Sequence, residues 1–144
     1  MYTLSKEVTV SFSSKQLFDL INDVRSYPEF LPWCHGSNIL EQSGNEVIAS
    51  IEVAWYGIHK TFTTKNILTP YQTINISLVA GPLRHLQGNW QLRAIDATTC
   101  QVQLELSFAF LGSTIDRLFE PLVQYITHTL VDAFIKRAEV VYAS

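Results

Sequence analysis

A cysteine followed directly by a histidine, Cys34-His35, is the feature of this 144-residue chain that comes nearest to a nucleophile beside its base. Such chemistry needs the imidazole aimed at the sulfur and a third group that orients the imidazole. Adjacent residues seldom aim their side chains at each other, and no acid is placed by spacing to hold His35. The pair therefore reads as a small buried thiol beside a surface imidazole. His35, His59, His85 and His128 show neither HxH nor HxxxH spacing, so no metal site is expected. Asp19 and Asp23, with Glu29 not far beyond, share an exposed helix face and read as solvated charge. GxGxxG, P-loop and GxSxG patterns are absent, and Gly81 and Gly88 read as a turn and a strand bulge. With no catalytic set in the sequence, the expectation is a protein that is not an enzyme.

Two lysines suggest binding instead. Lys6 and Lys60 fall on the apolar parity of their strands. Either their heads escape to water while the stems cover apolar surface, or a head serves an otherwise greasy ligand as its polar handle. Lys60 is the better handle. Lys65, Arg84, His85 and Arg93 fall on outward parities or turns, and Lys136-Arg137 comes late in the last helix. Convergence of some of these would make a basic patch suited to RNA phosphates, whereas dispersal would leave ordinary surface charge.

The elements that must position these groups follow from periodicity. Tyr2, Leu4, Val8, Val10 and Phe12 alternate with polar residues as a half-buried strand. Ser13 or Ser14 can cap a helix from near Lys15, with Leu17, Phe18, Leu20, Ile21 and Val24 on one face. Next comes "SYPEFLPWC", with three aromatics and two prolines in nine residues. It is too apolar for a surface loop, and its prolines forbid a long helix or a central strand. A short turn over 26–30 is the most it can hold. Six strands alternate from Ser37 to Phe110, wet on one face. After Gly112 a helical stripe runs through Ile115, Leu118, Phe119, Leu122, Val123, Ile126, Leu130, Phe134, Arg137 and Val141, with Pro121 expected to kink or begin the main helix. One antiparallel sheet that buries a single face against one long helix must curl around it.

Bulk properties narrow the classes. Apolar residues make up 47% and charged residues 16%, which excludes disorder. A net charge of −3 argues against coating nucleic acid, DNA above all, through a general basic field. An alternating N-terminus, two unpaired cysteines and no long apolar run predict a cytoplasmic protein with at most peripheral membrane contact.

Three blocks then carry a resemblance: "VRSYPEFLPWCHGS", "IHKTFTTKNILT" (Ile58–Thr69) and "LVAGPLRHLQGNW" (Leu78–Trp90). In this order they resemble the START-like, polyketide cyclase/dehydrase superfamily, and within it the family joining ribosome association toxins of the RatA type with coenzyme Q-binding proteins. The resemblance implies one α+β helix-grip domain over 1–144, ordered β-α-α-β6-α, with a curved sheet of about seven strands around the C-terminal helix. It implies binding to the large ribosomal subunit that blocks subunit joining, by a monomer needing no cofactor. The alternative it implies is a carrier of ubiquinone or another isoprenoid lipid. The aromatic segment would then lie over one end of a chamber, as a plug or as a ligand-facing lid built from Tyr27, Phe30, Leu31 and Trp33. Trp55, Phe62, Ile76, Leu78, Trp90, Leu104 and Phe108 would line the chamber, with Leu122 and Ile126 from the helix and Lys60 as handle.

Overall fold

The computed structural model describes residues 2–112 and 114–142. Strand β1 (Tyr2–Val10) leads into helix α1 (Ser14–Asn22), and a 3₁₀ turn occupies Val24–Glu29. Six strands follow: β2 (Cys34–Ser43), β3 (Glu46–Trp55), β4 (Ile58–Thr69), β5 (Thr73–Ala80), β6 (Leu83–Asp96) and β7 (Thr99–Phe110). Helix α2 (Thr114–Val141) completes the chain. The strands form one antiparallel sheet ordered β1-β7-β6-β5-β4-β3-β2, so β1 returns to pair with the last strand and β2 lies at the far edge. This is the expected order of elements.

Local chemistry explains the joints. Ser13 accepts from the backbone of Gln16 at 3.1 Å while the Gln16 side chain accepts from the Ser13 N–H at 2.9 Å, a reciprocal cap for α1. Tyr56 and Gly57 take φ of 47° and 80°, the left-handed pair that a two-residue hairpin between β3 and β4 requires. Inward parities are as expected: Val47, Ala49 and Val53 on β3, and Val102, Leu104, Leu106 and Phe108 on β7, are all buried.

Four expectations are corrected. Gly88 is not a bulge, because the ladder runs in register through Ile76, Gly88 and Leu106. A Cβ there would stand 2.8 Å from Leu106 Cδ2, so glycine serves close side-chain approach. Strand β2 begins at Cys34, three residues early, because Trp33 and Cys34 already pair with β3. Helix α2 continues through Pro121, which removes the helix start, one of the two alternatives expected there, and leaves the kink as the other. Its buried line is Leu122, Val123, Thr127, Val131, Phe134 and Ala138, while Val141 is 47% exposed. The expected stripe ends on Arg137 and Val141, whereas fully buried Ala138 shows the helix running close against its neighbours there. Ile115, Leu118 and Phe119 lie outside the residues whose side chains are described.

The core is divided. A larger cluster joins α1, the C-terminal half of α2, Trp90, Leu92, Leu104 and Leu106. A smaller one gathers Val53, Leu83, Phe108, Leu122 and Val123.

Candidate functional site

The proline-rich aromatic segment straddles these two clusters. Tyr27 donates its hydroxyl to the Ile21 carbonyl, the preceding helix thereby fixing its ring. Burial pushes that hydroxyl's pKa up. Phe134 of α2 meets three rings edge-on: Tyr27 at 5.4 Å, Phe30 at 5.3 Å and Trp90 at 5.5 Å. The Arg137 guanidinium lies 5.3 Å from the centre of the Phe30 ring and 3.3 Å from Glu29. This side of the segment is packed against α2. Leu31 is 1% exposed, and the backbone beyond it is tied by Cys34 N–H to Leu31 carbonyl and by Ala54 N–H to Trp33 carbonyl.

Trp33 belongs to the other side. It packs on the smaller cluster together with Trp55, Ile58, Phe62, Leu78, Leu86, Phe110 and Ile126. These side chains are only half-buried, although those of the strands face the helix side of the sheet. A large apolar group on an inner face that stays partly accessible marks a wall without a complete filling. An open groove of about 370 Å³ also runs outside the segment, between Phe30, Leu31 and Trp33 and the α2 residues Tyr125, Thr129 and Lys136.

The expected chamber list therefore separates. Trp33, Trp55, Phe62, Leu78, Phe108, Leu122 and Ile126 come together at one end. Tyr27, Phe30, Ile76, Trp90 and Leu104 pack with the larger cluster. Lys60 lies on the inner parity of β4, opposite Val53, and is half-buried. Lys6, on the inner parity of β1, reaches Asp132 of α2 at 3.2 Å, so its head pairs with the helix. Sequence reading passed over two buried polar groups on that same inner parity of β4. Thr64 donates to Asn66 at 3.1 Å, and both are less than 8% exposed. Their shared parity with Phe62 and Leu68 was the available signal.

The basic candidates do not converge as one patch. Arg84 and Arg93 are exposed but stand nine residues apart on β6, about 30 Å at the rise of a strand. His85 is bonded to Ser107 at 3.0 Å, and Lys65 is paired with Glu46 at 3.1 Å.

Cys34 is buried and its Sγ lies 3.5 Å from the Gly36 carbonyl oxygen. Burial pushes the thiol up to about 11 from an ordinary 9.0. Two units leave about 100-fold less thiolate near pH 8. Iodoacetamide should therefore alkylate native Cys34 at least that much more slowly than the unfolded chain, as followed by mass spectrometry. An equal rate would contradict the burial.

Residues 10–135 match the family described as polyketide cyclase/dehydrase and lipid transport. The ribosome association toxin RatA of Vibrio cholerae is 46% identical over 142 residues, 99% of each chain. The chain belongs to this family, in its RatA group. A more distant relative is the mitochondrial coenzyme Q-binding protein COQ10 homolog B of Xenopus laevis, 25% identical over 96% of this chain and 58% of its own length. Among solved structures, the Zhui aromatase/cyclase of a Streptomyces species superposes with a TM-score of 0.82 at 21% identity, covering 96% of this chain and 93% of that one. That likeness concerns the fold alone. The family's helix-grip architecture is the one built here from strand order and helix placement. Among the described residues no helix is long and apolar enough to cross a membrane.

Proposed function

We propose that this protein associates with the large ribosomal subunit and sterically blocks its joining to the small one, with no bond made or broken. The observation that carries this reading is the match, over 99% of each chain, to a protein named as a ribosome association toxin. The protein acts in the cytoplasm, as a monomer and without a cofactor. Its polar outer sheet face, bearing exposed Arg84 beside His85, offers contacts to RNA phosphates. Overexpression should deplete joined ribosomes in sucrose gradients, with the protein co-sedimenting with the large subunit. Free sedimentation of the protein and an unaltered ribosome profile would overturn the proposal. Charge reversal by Arg84→Glu should weaken that association about tenfold and flatten its salt dependence. An unchanged salt slope would remove Arg84 from the interface.

A second reading is favoured by a separate observation, the half-buried apolar wall around Phe62, Leu78 and Ile126. It is carriage of an isoprenoid quinone or similar lipid. Each buried CH₂ contributes about 0.8 kcal/mol, so a few isoprene units suffice without a polar contact. Lys60 and the Thr64–Asn66 pair supply polarity for the head. Organic extraction of the purified protein followed by mass spectrometry should recover stoichiometric lipid; an empty extract counts against it. The two readings use different surfaces.

A further inference from the structure

On the solvent side of the sheet, three side chains bearing metal-ligating atoms converge from three neighbouring strands. Glu52 of β3 and His59 of β4 lie on the same outward face as a diagonal pair, since Glu52 stands opposite Thr61 and Ala54 opposite His59. Their side chains meet at 3.0 Å, His59 Nδ1 to Glu52 Oε1. The third member comes from β2. Its register shifts between Cys34 and Gly36, and a residue inserted at a bulge is re-aimed relative to the ladder. While Cys34 turns to the core, His35 is exposed beside His59, their rings edge-on with centres 5.2 Å apart. Gly36 faces Glu52 across the ladder, and a Cβ on it would stand 3.8 Å from Glu52 Oε2, which places the carboxylate over that side-chain-free position.

We propose that His35, Glu52 and His59 bind a zinc-type divalent transition metal ion, with a fourth coordination position open to water or to a group from a partner. One donor atom from each residue lies within 4.8 Å of the other two. Tetrahedral zinc with bonds of about 2.0–2.2 Å asks its donors to stand about 3.4 Å apart. Small rotations of exposed side chains close that difference, while paired strands hold the three backbones in place. Two imidazoles with one carboxylate select zinc, nickel or copper over magnesium or calcium. Cys34 is excluded as a ligand because its thiol is turned away into the core. The bound ion ties the edge strand β2 to β4 across β3.

Calorimetric titration of the tag-free, chelator-stripped full chain with Zn²⁺ alone tests this. One ion per chain is expected. His35→Ala and His59→Ala should each weaken binding about tenfold or more, whereas His85→Ala should leave it intact. Co²⁺ in place of zinc should give ligand-field bands without a thiolate charge-transfer band. Circular dichroism spectra matching wild type would show that these exposed substitutions leave the fold intact. The site is refuted if wild type shows no saturable binding, if the double histidine variant binds as tightly as wild type, or if a thiolate band appears.

Discussion

Phe134→Ala is expected to cost about 3–5 kcal/mol, a large share of the stability of a domain this size. The ring is 2% exposed and meets Tyr27, Phe30 and Trp90 edge-on at 5.3–5.5 Å. It is therefore the point at which α2, the aromatic segment and the sheet are joined. Removing it leaves a cavity whose walls come from three elements, and collapse of one wall pulls on the other two. The edge-on geometry adds to simple burial, each ring pair contributing about 0.5–1.5 kcal/mol beyond area. Urea denaturation should show the midpoint falling with an unchanged slope, and Tm should drop on the order of 10 °C. Tyr125→Ala on the same helix, at a half-exposed position, provides the contrast and should shift stability by about 0.5 kcal/mol or less. A Phe134→Ala loss no larger than the Tyr125→Ala loss would mean that the three elements are held together elsewhere.

Much of this architecture was legible because it rests on period and local chemistry. Alternation located the seven strands, and Ser13, one of two candidate caps, starts α1. What period cannot give is distance between elements. Gly88 looked like an irregularity because glycine often marks one, yet its role depends on Leu106, a neighbour eighteen positions later. Ala138 was passed over on α2 because a small side chain carries little hydrophobic weight, and close approach is what a small side chain permits. His35 and His59 looked scattered because linear spacing is blind to ladder register, and a bulge between Cys34 and Gly36 decides which way His35 faces. The aromatic segment read as either plug or lid because nine residues were treated as one unit. Its first half is committed to Phe134 and its last aromatic is not.

That division makes the second large effect specific. Trp33→Ala should weaken binding of an apolar isoprenoid probe about tenfold, while Phe30→Ala should chiefly lower stability. Full burial of a large apolar side chain contributes about 1.5–3 kcal/mol, and Trp33 keeps part of its surface accessible for contact with a ligand. About 1.4 kcal/mol is the tenfold step in affinity. Phe30 is half-buried as well, but its ring is engaged by Phe134 and the Arg137 guanidinium, so its loss falls first on packing. Quenching of tryptophan fluorescence by a short-chain ubiquinone analogue gives the affinities, with denaturation midpoints measured on the same samples. Equal affinity in wild type and Trp33→Ala would remove the lid role, and a ligand defect confined to Phe30→Ala would reverse the assignment of the two halves. Ribosome co-sedimentation of Trp33→Ala should stay at the wild-type level, since Arg84 is exposed and is not among the residues of this apolar wall. A variant that lost lipid and ribosome together would tie the two surfaces into one activity, with a ligand on the apolar wall governing what the outer face can bind.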